Sequence, residues 1–524
     1  MLDILIKNAM IFDGSGSVPY EADMAIENGI ITRIEKDISD NADKVIEAKG
    51  LACCPGFVDI HSHTDSTILA QPEAHSKIHQ GITTDVVGNC GFSMGPITEK
   101  NRDYFTATLE NIGIVPSWKT LGEFLDVLKE KGTSVNILTL VGHGTVRAAV
   151  LGEEDVQPDE AQLEEMRREV AKAMEEGAIG LSSGLQYPPG VFAKTEEVIE
   201  LSKVASEYGG FYATHMRCES AKVLDSIDET LRIGAEGNIP VQISHIKTSG
   251  KPQWGQMNLV LGKIDAARGR GQKVSYDRYP YLACQTSLDI FLPDWVHDGG
   301  RRAMLERLQN PDEREKIVNY VREYVRTESG WENILITSTT APDAKDIHGK
   351  NLEEIAESRK QEPAYTMLDL IIEGDGLVDM CCFAMNQEDT DMVLLRGDCM
   401  ICTDSSVRSP YGILSKDQPH PRSYGAFPRF IDDYVHKRNK IPMQEAIRRL
   451  TSLPAGWLKF DKRGMLMPDY YADILVFDAD EIKDMATFTE PHQFAAGINH
   501  VIVNGKLTIE NGKHNGTLAG KVNP

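Results

Sequence analysis

The chain has 524 residues, too many for one ordinary domain, and its 41% hydrophobic and 26% charged content is that of a globular protein. Its 79 acidic against 55 basic side chains give a net charge of −24, a surface that repels phosphate backbones and anionic lipid and so excludes nucleic acid and membrane as natural partners. Nine cysteines in no framework spacing, no basic-then-apolar leader, and no run near the about 18 apolar residues of a membrane span lead to the expectation of a reducing, cytoplasmic location.

The first 50 residues read as short strands: LDILIKNAMIF, ADMAIENGIITRI and KVIEA, with Asn28-Gly29 as a hairpin signal between two apolar runs. Eight strand-like runs follow: GFVDIHSH, TTDVVGNC, VNILTLVGHG, AIGLSSG, GFYATHM, PVQISHI, KVSYDRYPY and CMICTDSS. Helical spacing separates several of them, most clearly at 159–176, then in KVLDSIDETLRIGAEG and NLVLGKIDAARGRG. Such alternation with eight strands predicts a (β/α)8 TIM barrel over 56–464. From about 285 to 375 the rhythm breaks into charged helical sequence with one strand-like run, ENILITST, which predicts an insertion after the seventh strand. The last 60 residues return to the style of the first, with Asn-Gly at 504–505 and 511–512. Residues 1–55 and 465–524 are therefore expected to form one small β-sandwich domain from both termini.

The notable polar residues fall at the C-terminal ends of these runs, where barrel enzymes place their sites. His61 and His63 are two apart, so on a strand both imidazoles face one side. Cys90 ends the second run, His215 the fifth, His245 the sixth and Asp404 the eighth. A lone His or Cys on an apolar run is more often a packed core residue, and Asp404 next to Ser405 could cap a helix. The coincidence of four His, one Cys and one Asp at the same end of successive strands overrides that reading. These are ligands of the type zinc prefers, and they predict a metal site.

GFVDIHSHTD resembles the signature of the amidohydrolase superfamily. KIHQGITTDVVGNCGFSMGP is similar to the N-acyl-D-amino-acid deacylases (D-aminoacylases), in which a cysteine after the second strand replaces the carboxylated lysine of urease and hydantoinase. VGHGTVR, GLSSGLQYPPG, ATHMR, ISHIKTSG, DRYPY and PHPRSYGAFPR continue the likeness in order along the chain. The resemblance implies one tightly held zinc on Cys90, His215 and His245, and a second, weaker position near His61, His63 and Asp404. It implies that Asp404 takes a proton from water and returns it to the leaving amine, while the metal stabilises the oxyanion. It implies Tyr187, Lys247, Tyr281 and Arg422 as the groups that hold the substrate carboxylate; taken singly, Arg422 reads equally as a surface residue and the tyrosines as core aromatics. His143 reads equally as a site residue and a structural one.

The expected substrate is thus a small N-acyl-D-amino acid, cleaved to a carboxylate and a free D-amino acid. The competing readings are a cyclic-amide hydrolase of the hydantoinase or dihydroorotase type, and a non-catalytic scaffold. The fourth run closes on SSG, without the lysine the cyclic-amide enzymes use, and a scaffold would have lost ligands that this chain keeps. One departure stands out: many family members have Ser-Asp-Gly at the eighth strand, where this chain has Thr403-Asp404-Ser405-Ser406 and an unfamiliar loop to Gln418.

Overall fold

The computed structural model describes residues 1–523. The barrel strands are β1 (Phe57–Asp59), β2 (Ile82–Val87), β3 (Asn136–Thr139, resumed at Val141–Gly142), β4 (Gly180–Gly184), β5 (Phe211–His215), β6 (Val241–Ile243), β7 (Val274–Arg278) and β8 (Cys399–Ile401). Every residue in them is buried, which is why they read as unbroken apolar runs rather than alternating ones. Neighbours pair in parallel from β1 through β8, with β3 joining β2 through its first part and β4 through its second. The two ends of this series meet just past the strands, where Asp404 N–H donates to the His61 carbonyl at 2.9 Å and His63 N–H to the Ser405 carbonyl at 3.2 Å.

Helices Glu160–Glu175, Thr195–Glu207, Val223–Glu236 and Met257–Gly269 fill four successive crossovers. The first starts where its sequence says it should. Asp159 accepts from Gln162 N–H and Gln162 reaches back to Asp159 N–H, a capping box that satisfies two otherwise orphaned donors. Its buried Met166, Val170, Ala173 and Met174 form one stripe against the barrel.

Both termini build a single nine-stranded sheet. Its two halves join where Ala52–Pro55 pairs antiparallel with Ile474–Phe477. The Asn-Gly pairs at 28–29, 504–505 and 511–512 turn their chains with φ positive at both residues, as two-residue hairpins require. The sheet folds over a core that includes Ile4, Ile6, Met24, Ile474, Val476 and Ile502. It curls far enough that two of the turns touch: a Cβ on Gly505 would stand 2.4 Å from Gly29 Cα.

The segment after β7 forms its own three-stranded antiparallel sheet from Cys284–Ser287, Ile334–Thr339 and Val378–Cys382. Helices Gly300–Gln309, Pro311–Glu328 and Pro363–Glu373 complete it, around an apolar core separate from that of the barrel. Val378–Cys382 is the central strand, so the unit extends past the 375 that the sequence suggested.

Candidate active site

The strand ends bring the expected ligands to one place. Cys90 Sγ lies 3.4 Å from His61 Nε2, 3.6 Å from His245 Nε2 and 4.0 Å from His215 Nδ1. Asp404 Oδ1 lies 3.3 Å from His61 Nε2 and 3.2 Å from His63 Nε2, and His215 Nδ1 is 3.0 Å from His245 Nε2. The ligand atoms of His61, Cys90, His245 and Asp404 all lie within 4.8 Å of one another. Cys90 Sγ thus lies within 4.0 Å of histidines from both expected ligand sets.

Backbone conformation marks the same residues. Cys90, His245 and Asp404 have φ of +53°, +34° and +49°, left-handed values that strain a residue with a side chain by about 1–3 kcal/mol. Packing holds Cys90 there. The carbonyl of Cys90 sits against Gly184 at the end of β4, where a Cβ would approach it to 2.2 Å, so the GLSSG motif has room for no larger residue.

Neighbouring groups set the histidine tautomers. His215 Nε2 is 3.0 Å from the Gln186 Oε1 acceptor, which makes it the protonated nitrogen and frees Nδ1 for an ion. His245 Nδ1 lies 3.1 Å from Glu219 Oε1 and 2.7 Å from Lys247 Nζ, contacts that turn its Nε2 toward the ligand cluster. The backbone N–H of His245 donates to Asp277 Oδ1 at 2.7 Å. Burial pushes the Cys90 thiol up, yet the imidazoles of His61, His215 and His245 bring it well below the usual thiol range. Burial likewise opposes ionisation of Asp404, but Arg422 and His245 hold its carboxyl well below the usual range. A thiolate, neutral imidazole nitrogens and a carboxylate oxygen in one small volume are the donor set of a zinc site.

Two of the expected cations are already paired. Lys247 Nζ is 2.6 Å from both Glu219 oxygens and 2.7 Å from His245 Nδ1. Arg422 Nη1 donates to Asp404 Oδ2 at 2.6 Å, and the guanidinium lies 4.6 Å from the Tyr279 ring centre. Arg422 Nε and the Tyr279 hydroxyl are buried and have no hydrogen-bond partner among the described residues. Tyr187 packs on His215 with ring centres 4.6 Å apart and accepts from Thr286 Oγ1 at 3.2 Å. Tyr281 is engaged elsewhere, donating to Asp484 Oδ2 at 2.7 Å under the Arg429 guanidinium, whereas Tyr279, two residues earlier in DRYPY, lines the cavity. His143 bonds Glu197 at 2.7 Å and is tied to helix Thr195–Glu207.

The cluster opens into a cavity of about 1070 Å³. The segment after β7 lines it with Thr286, Asp289, Thr339 and Asp379, and the loop after β8 with Arg408 and Asp417. Burial pushes the Asp379 carboxyl up to about 6; Arg408 opposes this, and Asp417 and Asp289 add to it. Glu219, Asp277 and Tyr279 escaped the sequence reading. Glu219 had a signal, since it lies four residues past His215, and Asp277 and Tyr279 lie inside a motif quoted for other reasons.

Comparisons with known proteins point to one family. The model of the amidohydrolase family matches residues 44–344 and 413–509. The D-aminoacylase of Alcaligenes xylosoxydans xylosoxydans is 33% identical over 521 residues, covering 99% of this chain and 97% of the relative. The N-acyl-D-glutamate deacylase of the same organism is 31% identical over 505 residues, covering 96% and 93%. Among solved structures, the N-acyl-D-glutamate deacylase of Bordetella bronchiseptica, complexed with zinc and a phosphonate mimic of the tetrahedral intermediate, superposes with a TM-score of 0.83 at 29% identity, covering 99% of both chains.

Proposed function

The chain belongs to the amidohydrolase family, and on that footing we propose that it is a zinc-dependent deacylase hydrolysing N-acyl-D-amino acids to a carboxylate and a free D-amino acid. The observation that carries this reading is the convergence of Cys90, three histidines and Asp404 beside two buried cations in one cavity. Cys90, His215 and His245 would hold the tight zinc, and His61, His63 and Asp404 a second, weaker one. The ion supplies Lewis acidity, which polarises an amide carbonyl and eases the loss of a proton from water.

The chain's own groups do the rest. Arg422 holds Asp404 through Oδ2, and Oδ1, which faces the ligand cluster 3.3 Å from His61 Nε2, would take the proton from the attacking water and hand it to the leaving nitrogen. Arg422 and Tyr279 line the cavity and would take the substrate α-carboxylate, with Lys247 and Tyr187 adding a cation and a hydroxyl. With the carboxylate held and the amide carbonyl at the ligand cluster, only one enantiomer can turn its side chain into the remaining space. The choice of D rests on the likeness to the D-specific relatives.

We assign the chemistry to the barrel over 56–464, the outer wall to the segment after β7, and support to the sheet of residues 1–55 and 465–524. No helix among the described residues is long and apolar enough to cross a membrane, and a thiolate ligand among nine cysteines suits a reducing cytoplasm. The test is turnover of matched D and L N-acyl amino acids with a hydantoin and dihydroorotate alongside, on protein assayed for zinc. Preference for an L or a cyclic substrate overturns the reading, and zinc-loaded protein inert on every substrate points to a scaffold.

A further inference from the structure

Lys77 is fully buried on the short helix His75–Ile78, beneath the ligand cluster. Its ammonium reaches four oxygens: Thr403 Oγ1 at 2.6 Å, Asp59 Oδ2 and the Ser405 carbonyl at 2.8 Å, and Ser62 Oγ at 3.1 Å. Three protons serve the three short contacts, and Ser62 shares. Asp59 and Ser62 belong to the end of β1, which carries His61 and His63. Thr403 and Ser405 are the two residues on either side of Asp404. Asp59 adds to the tie, accepting from Thr403 N–H at 2.9 Å and from Thr403 Oγ1 at 2.5 Å.

A buried ammonium is tolerated only with paired charge, and Asp59 at 2.8 Å with Asp85 at 3.7 Å provides it. The position of these contacts matters more than their number. Asp404 has a left-handed backbone, which relaxes unless its neighbours are pinned. Beyond the strand ends the seam between β1 and β8 has the two backbone hydrogen bonds at Asp404 and His63. Lys77 holds both flanks of Asp404 against the strand that carries the facing histidines. We infer that Lys77 is a positioning residue for Asp404, fixing through Thr403 and Ser405 where the Asp404 carboxylate meets the reacting atoms. The inference rests on the reading of Asp404 as the proton carrier.

The experiment is a double-mutant cycle on the zinc-loaded enzyme: wild type, Lys77→Met, Asp404→Asn and the pair, with kcat, KM, zinc content and Tm measured for each. Lys77→Met is expected to lower kcat about 10–100-fold, as misplacement of a reacting group by under an ångström does. KM and zinc content stay within about twofold, and in the Asp404→Asn background the same change costs less than about twofold. A loss repeated in full on Asp404→Asn, or a KM that rises as far as kcat falls, overturns the inference and leaves Lys77 a purely structural clamp. Should Lys77→Met fail to fold, Thr403→Val removes the Oγ1 contacts to Lys77 and Asp59 while keeping the Lys77–Asp59 ion pair. The same cycle then expects a loss of about 3–10-fold that disappears with Asp404→Asn, and additivity overturns it. Near wild-type turnover by Asp404→Asn alone is a separate result: it sinks the proton-carrier reading and this inference with it, whereas additivity on an impaired Asp404→Asn sinks the inference only.

Discussion

The inner end of the cavity and its outer wall are built on different plans. At the inner end the charged groups come from strand ends and the turns just past them, joined by Arg422 from the start of helix Arg422–Ile431, and each has its counter-charge: Lys247 with Glu219, Arg422 with Asp404. The outer wall comes from the inserted sheet and the loop after β8. There Arg408 is matched to Asp417 at 3.3 Å, while among the described residues Asp379 has no ion pair and Asp289 has His297 at 3.9 Å. A fixed, balanced inner end suits chemistry common to a family. An outer wall built from an inserted segment and a loop suits discrimination among side chains, because it can change without disturbing the ligands.

The strongest test of that contrast is Asp404→Asn, which should lower kcat by ~10²–10⁴-fold with the fold and zinc retained, as measured by steady-state kinetics and metal analysis. Next is Arg422→Met. It removes the partner of a buried carboxylate, so kcat/KM should fall by about 2–5 kcal/mol of transition-state stabilisation. Both kcat and KM should move, because Arg422 touches Asp404 and faces the substrate; a small rise in KM alone would mean that Arg422 belongs functionally to the outer wall.

Asp379→Asn should act on preference instead of rate. N-acyl-D-glutamate should gain about 3–10-fold in kcat/KM relative to N-acyl-D-methionine, the effect of removing one partly screened like charge. The same substitution should show in stability. The folded-state carboxyl near 6 lies above its unfolded value of about 3.9, so the native state holds the proton more tightly. That contribution is complete below about pH 4 and is lost as pH rises through 6. The Tm of wild type should therefore drop across this window more than that of Asp379→Asn, and parallel curves would contradict the assignment. Smallest is Asp159→Ala, which removes a helix cap far from the ligands and should cost about 1 kcal/mol in denaturant unfolding with kinetics unchanged.

The barrel was legible because strands buried on both faces leave continuous apolar runs, and because the ligands lie within a residue or two of those runs. The Asn-Gly turns were legible for an equally local reason: a few residues decide the backbone there. What stayed hidden was pairing at a distance. Nothing in ATHMRCES and ISHIKTSG says that Glu219 will neutralise Lys247 and orient His245. Tyr279 and Tyr281 are two apart, so strand parity would put both on one side, but β7 ends at Arg278 and the chain beyond it turns them apart. The limit of the insertion was blurred because VDMCC looks like any apolar run until its two partner strands are known.

The shared sheet of the two termini has a consequence for synthesis. Ala52–Pro55 emerges roughly 420 residues before Ile474–Phe477, the strand that covers its edge. At about 5–20 residues per second, that edge waits some 20–80 s for its partner. During that interval the first five strands present an unpaired apolar edge, ACCP, to whatever lies nearby. The last fifty residues of the chain are thus the protection of the first fifty, and a ribosome that stops short of them releases a barrel with an open, adhesive flank.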